Sequence, residues 1–206
     1  LKLEAKLGTN PYKFGMVGSS DAHTGLAAME EENFFGKTTP QEPGPERMHA
    51  SFMDNPKTGI KIMDWEVAAA GYAAVWAQEN TRESIWDAME RKETYATTGS
   101  RMVVRFFGGW EFDQADAQTR NPAFAGYTKG VPMGGDLRKA PAGQSPTFLV
   151  AAMKDPIGAN LDRIQVVKGW LDAKGETREK IYDVVWGGDR TPDADGKLPG
   201  VGSTVN

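Results

Sequence analysis

The sequence contains no cysteine among its 206 residues. This absence excludes a disulfide framework, a thiolate metal site and a cysteine nucleophile. Histidine is nearly as scarce, because the chain holds two. A metal site within this chain must therefore use carboxylates or take further ligands from elsewhere. The compartment stays open, since exported proteins can also lack cysteine.

An excess of positive charge and a long apolar run are also missing. The 24 Lys and Arg residues face 28 Asp and Glu residues, which gives a formal net charge of −4. That balance offers no electrostatic attraction to nucleic acid or to an anionic membrane. No apolar run approaches the roughly 20 residues that a membrane-spanning helix needs. We therefore expect neither a nucleic-acid partner nor a membrane span.

Both ends of the chain read as cut. The sequence begins without methionine at "LKLEAKLG", a helix-like pattern without the apolar core or cleavage site of a signal peptide. It stops at "GKLPGVGSTVN", where turn residues lead into a possible strand. We expect a fragment whose natural partner is a missing N-terminal part of the same protein, although a processed mature chain could also begin this way.

The first half has the pattern of an α/β unit. Leu1 to Leu7 predicts the end of an amphipathic helix, and Phe14 to Val17 predicts a short buried strand. A second buried strand is predicted over 71–77. It leads into a helix with Asn80 as its N-cap and Glu83 completing a capping box. "TYATTG" then returns as a strand.

The second half reads as strands separated by turns. They are predicted over 102–107, 147–153, 163–171 and 180–186, and helical periodicity is missing between them. An antiparallel β-sandwich fits this pattern best. We therefore predict an α/β plus all-β chain, with residues 1–99 as part of a barrel and residues 100–206 as a sandwich that is incomplete at its C-terminus.

The stretch "FGMVGSSDAHTG" contains the strongest candidate for chemistry. Side chains two apart on an extended chain project to the same side, so Asp21 and His23 could bind one divalent ion, Zn, Mn or Fe. The position also fits, because α/β barrels place function on loops at the carboxyl ends of strands. The alternative is a polar turn in which Asp21 caps a backbone group and His23 is a surface residue.

"KFGMVGSSDAHTGL" resembles the last metal-binding motif of the polymerase-and-histidinol-phosphatase (PHP) superfamily. "AAVWAQENTRESIWDAMERKETYATTGSRM" and the segment over 146–190 resemble one related bacterial branch, the domain-of-unknown-function family numbered 3604. The resemblance implies the C-terminal part of a distorted (β/α) barrel, with Asp21 and His23 as metal ligands. It also implies export or a periplasmic location, as in many members of the family.

The PHP pattern also requires an early His-x-His and further ligands, which this sequence lacks. Most ligands would then lie upstream of Leu1, because a catalytic metal usually needs three protein ligands. The resemblance therefore implies that this segment alone holds half a site and is inactive by itself.

Two arginines are candidates for binding the substrate. Arg82 lies at a predicted strand-to-helix junction, where the helix N-terminus favours anions and the guanidinium fork matches phosphoryl or sulfuryl oxygens. Arg101 follows the predicted strand of "TYATTG". For each there is a plainer alternative, namely an ion pair for Arg82 and a position at the domain junction for Arg101.

The resulting expectation is a fragment of a metal-dependent hydrolase that acts on small phosphoester or sulfate ester substrates through activated water. The rival expectation is a non-catalytic β-sandwich that binds a partner or a glycan and is attached to a degenerate barrel. His49 lies in a long loop without a predicted role, and "DRTPDADGK" reads as an acidic turn.

Overall fold

A computed structural model describes residues 1–25, 35–38, 42–67, 71–202 and 204 of the chain. The helices and strands in chain order are α1 (Lys2–Leu7), β1 (Ser51–Asn55), β2 (Ile60–Met63), β3 (Tyr72–Val75), α2 (Arg82–Glu90), β4 (Thr94–Thr97), β5 (Val103–Gly109), α3 (Gln114–Gln118), α4 (Pro122–Lys129), β6 (Gly130–Pro132), β7 (Thr147–Met153), β8 (Arg163–Leu171) and β9 (Thr177–Trp186). Two 3₁₀ turns cover Pro45–Met48 and Asp64–Glu66.

The chain forms two compact units. One combines Leu1–Phe14 with Ala151–Asn206, and the other is Gly15–Val150. The predicted boundary between residues 99 and 100 stays a prediction, as do the barrel and the sandwich. No described helix is long and apolar enough to cross a membrane.

The unit Gly15–Val150 is built from small sheets. β1 pairs with β2, β3 pairs with β4, and β5 pairs with β6, each antiparallel, while the last sheet has the order β6–β5–β7. Its core contains Phe107, Ala125 and Leu149. A Cβ added to Gly126 would lie 2.5 Å from the ring of Phe107. Glycine at this position therefore lets α4 approach β5 closely.

The other unit contains helix α1 and a long hairpin. Helix α1 ends at Gly8, whose φ of 74° is the left-handed cap that glycine adopts easily. β8 and β9 pair antiparallel from Arg163–Trp186 to Leu171–Thr177. Asp172 closes the turn by accepting bonds from the backbone N–H groups of Lys174 and Glu176. Asp193 closes the turn of "DADGK" in the same way, which agrees with the prediction of an acidic turn.

Most predicted strands and the central helix are present. β5, β7, β8 and β9 lie at the predicted places, and the predicted helix after residue 80 is α2. Its N-cap is Thr81 rather than Asn80, because the Thr81 hydroxyl accepts a bond from the Ser84 N–H at 3.3 Å. The predicted cap was therefore wrong by one residue.

The strand predicted over 14–17 was wrong, since the described residues 1–25 contain helix α1 and otherwise turns and coil. Gly15 and Gly18 are the residues that lie against β3 and β4. A Cβ on Gly15 would lie 2.6 Å from Thr94 Oγ1, and one on Gly18 would lie 2.6 Å from Tyr72 O. The neighbouring apolar side chains of Met16 and Val17 are consequently exposed.

The expectation that helices are missing after residue 100 was also wrong. α3 and α4 lie between β5 and β6 and are only 5 and 8 residues long. Such short helices complete too few turns to display a clear 3.6-residue period. Two local signals were available, namely Asp113 and Asp116 as a capping box and Pro122 at the start of α4.

Candidate functional site

Asp21 and His23 contact each other in a loop of the unit Gly15–Val150. Asp21 Oδ1 lies 3.1 Å from His23 Nε2, and both side chains are 61% exposed. The predicted alternation of an extended strand does not produce this contact. Asp21 has a φ of 52°, in the left-handed region, and Ser20 Oγ accepts a bond from the Ala22 N–H. The structure thus brings the predicted pair together through a tight turn.

Lys37 completes the polar cluster around this pair. Its ammonium group lies 2.9 Å from Asp21 Oδ2 and donates to Ser20 O at 3.2 Å. The hydrogen bond from Lys37, followed by the bond from His23, lowers the pKa of the Asp21 carboxyl group. Asp21 is therefore ionised at neutral pH, which is the form that binds metals.

The backbone around Lys37 fixes its place beside the pair. The His23 N–H donates to Lys37 O at 2.8 Å, so the two segments are joined directly. The Lys37 N–H donates to the buried carboxylate of Glu42, which also pairs with Arg47. Lys37 itself is 7% exposed. The exposed Asp21–His23 pair is therefore held by Lys37, which is itself buried against Glu42.

The Asp21–His23 pair fits part of a metal site. Asp21 Oδ1 and His23 Nε2 lie 3.1 Å apart, a hydrogen-bond distance. Two ligands bonded to one ion at about 2.1 Å lie roughly 3.0–3.5 Å apart, so the same spacing suits a shared ion when Nε2 carries no proton. Lys37 binds the other carboxylate oxygen, Oδ2, which leaves Oδ1 facing the imidazole. Within the described ranges no group of three or more His, Cys, Asp and Glu side chains could hold a metal ion. The pair can thus supply two ligands, and a catalytic site needs at least one more.

The two predicted substrate-binding arginines lie elsewhere in the chain. Arg82 is the first residue of α2 and borders a shallow exposed depression with Trp86. The guanidinium of Arg101 lies 5.5 Å from the centre of the Tyr72 ring. No contact between either arginine and Asp21 or His23 is found in the part of the chain that the structure describes. Their substrate roles stay predictions.

Sequence reasoning missed Lys37. It lies 14 positions after His23, in a stretch that has no periodic pattern, and it contacts Asp21 only through the folded loop. Residues this far apart in the sequence show no local pattern from which their contact could be predicted. His49, the other histidine, is exposed, and its N–H donates to Glu46 O.

The chain matches the family described as Protein of unknown function (DUF3604) over residues 1–206. It belongs to that family. No curated protein and no solved structure matches it.

Proposed function

We propose that this member of the DUF3604 family is part of a metal-dependent hydrolase of phosphate or sulfate esters. The observation that supports it is the Asp21–His23 pair, an ionised carboxylate and an imidazole held 3.1 Å apart on an open surface. The relation to the PHP superfamily and the bacterial origin belong to the same proposal. Further ligands are proposed to come from outside the described residues.

Asp21 and His23 would hold a divalent ion through Oδ1 and Nε2. Such an ion supplies polarisation of an ester oxygen and lowers the pKa of a bound water to about 7. Asp21 contributes negative charge at the site, and Lys37 lowers the pKa of that carboxylate and orients it. Because Lys37 Nζ also bonds Ser20 O, it fixes the carboxylate relative to the loop backbone.

The proposed substrate is a small ester with an anionic group. Arg82 and Arg101 are proposed to contact its oxygens, because a guanidinium donates two parallel hydrogen bonds to phosphate or sulfate. Lys37 is the nearest charged donor to the pair in the described chain and can neutralise charge there.

The experiment uses the full-length protein that contains this chain. Bound metal is measured by inductively coupled plasma mass spectrometry, and hydrolysis is measured with aryl phosphate and aryl sulfate esters. Asp21→Asn and His23→Ala are expected to lose metal and activity together. His49→Ala and Asp54→Asn are matched controls, because both residues are exposed. Full metal content and full activity in both Asp21→Asn and His23→Ala would overturn the proposal.

A second candidate is a non-catalytic binding module, favoured by the surface of the β8–β9 hairpin. Val167 and Ile181 are direct cross-strand partners, and both are exposed. Adjacent exposed apolar side chains are typical of interaction surfaces. The presence of His-x-His with later His or Glu ligands in the full-length sequence would favour the hydrolase, and their absence would favour the binding module.

A further inference from the structure

A second polar cluster surrounds the buried carboxylate of Glu93. Glu93 lies between α2 and β4 and is 3% exposed. Its N–H donates to Ala88 O at 2.9 Å, and its carbonyl accepts from the Trp76 N–H at 3.0 Å. These bonds fix the backbone of Glu93, and its side chain lies buried in the unit Gly15–Val150.

Two guanidinium groups and one hydroxyl face that carboxylate. Tyr127 donates its hydroxyl proton to Glu93 Oε1, and Arg91 Nη2 donates to Oε2 at 3.3 Å. Arg105 Nη1 lies 3.7 Å from Oε1 and donates to the Tyr127 hydroxyl at 2.8 Å. Burial, followed by the bond to Glu93, raises the pKa of Tyr127, so this hydroxyl stays protonated at neutral pH. Two positive charges against one negative charge leave an excess of one positive charge.

Arg91 and Arg105 each use one of their two Nη groups for the bonds described above. Arg91 forms its bonds to Glu93 and to Trp76 O through Nη2, and Arg105 forms its bonds to Glu93 and Tyr127 through Nη1. Across the described ranges, Arg91 Nη1 and Arg105 Nη2 have no acceptor. The Arg105 guanidinium also lies 3.1 Å from the centre of the Trp76 ring, and Trp76 Nε1 donates to Val104 O. The indole therefore sets the orientation of the Arg105 fork.

These groups line one cavity of about 540 Å³. Small-molecule sites in proteins typically have volumes of about 300–1,000 Å³. The lining joins the charged side chains to Trp76, Ala77 and Pro132, which offer apolar surface. The cavity thus combines oriented cationic donors with room for the body of a small ligand.

We propose that this cavity is a binding site for the oxyanion group of a small ligand, a phosphate, sulfate or carboxylate. A monoanion would neutralise the excess positive charge and accept the remaining guanidinium donors, which match such groups bidentately. Glu93 is the positioning residue, because it holds two guanidinium groups close together that would otherwise repel each other. The site shares no residue with the Asp21–His23 pair and does not depend on a metal.

The test is isothermal titration calorimetry of the metal-free full-length protein, with inorganic phosphate, sulfate and benzoate as separate probes. At least one probe is expected to bind in the micromolar to millimolar range. Arg91→Gln is expected to weaken that binding about 10-fold, since it removes a charged hydrogen-bond donor. Arg120→Gln is the matched control, because Arg120 is exposed and outside the cavity lining. The relative affinity for benzoate and the inorganic anions distinguishes a carboxylate ligand from a phosphate or sulfate ligand.

Further variants separate this site from the proposed metal site. Arg105→Lys keeps the charge but loses the fork, so it should also weaken binding, and Glu93→Gln should weaken it because a neutral amide no longer holds the two guanidinium groups together. Asp21→Asn should bind the probes as the unmodified protein does. Failure of all three probes to bind at millimolar concentration, or unchanged affinity in both Arg91→Gln and Arg105→Lys, would overturn the proposal.

Discussion

Replacing Phe107 with alanine should lower the free energy of unfolding of the unit Gly15–Val150. The loss should exceed that caused by the same change at a phenylalanine on the surface of the unit. Phe107 is 1% exposed and packs with Ala125 and Leu149. Its ring meets that of Tyr127 edge to face, with centroids 5.1 Å apart. One side chain therefore joins β5, α4 and β7, and it also supports the tyrosine that contacts Glu93.

The expected cost follows from this burial. Removing a fully buried phenylalanine ring costs about 3–5 kcal/mol, because the transfer energy is lost and a cavity remains. An edge-to-face aromatic pair contributes about 0.5–1.5 kcal/mol of that total. The loss would be a large share of the free energy of unfolding of a typical domain, about 5–15 kcal/mol. The assay is urea unfolding followed by far-ultraviolet circular dichroism, with an unchanged m value showing that stability alone has changed.

Phe148→Ala provides the matched control. Phe148 has the same side chain, lies on β7 and stacks on Phe106 with centroids 5.4 Å apart, but it is 50% exposed. Truncation there should cost about 1 kcal/mol, because less apolar surface returns to water. A cost for Phe107→Ala no greater than that for Phe148→Ala would refute the assignment of the core.

Two further predictions concern the loop site and helix α2. Lys37→Met should raise the pKa of Asp21 toward its ordinary value, as measured by carboxyl ¹³C NMR titration, and an unchanged pKa would contradict the Lys37 contact. Because a lowered pKa gives stability that is present above the unfolded-state value and lost as pH falls through the folded-state value, the variant should lose less stability on acidification. Thr81→Ala should destabilise the protein by about 1 kcal/mol in urea, whereas Asn80→Ala should cost less, and the reverse order would restore Asn80 as the cap.

Strands with a strong local pattern could be predicted from the sequence. β7 and β8 have the predicted bounds, because β-branched and aromatic residues fill runs that turn residues interrupt cleanly. Helix α2 could also be predicted, because capping residues precede apolar residues at helical spacing. Its cap was misplaced because Asn80 and Thr81 are adjacent and both are good capping residues.

The failures arose where tertiary contacts override local pattern. Phe14 to Val17 has the apolar composition of a buried strand, yet two close glycines place its backbone against β3 and β4 and leave Met16 exposed. Lys37 reaches Asp21 from a segment without periodicity. Such contacts join residues far apart in the chain, so the spacing of residues in the sequence does not predict them.

The two candidate sites show the same contrast. Asp21 and His23 are two positions apart, so their contact could be predicted, although a polar turn, which was the alternative, produces it rather than the expected extended strand. The Glu93 cluster draws its side chains from several segments, among them β5 and α4, so the sequence carried no sign of it. Short-range pairs can be predicted from spacing, whereas clusters assembled by packing require the fold.

The most direct test of the proposed hydrolase is the metal content of the full-length protein after purification without chelators. We predict bound Zn, Mn or Fe in the unmodified protein and in His49→Ala, with loss of that metal in both Asp21→Asn and His23→Ala. Metal retained in full by both of the latter variants would contradict the assignment of Asp21 and His23 as ligands.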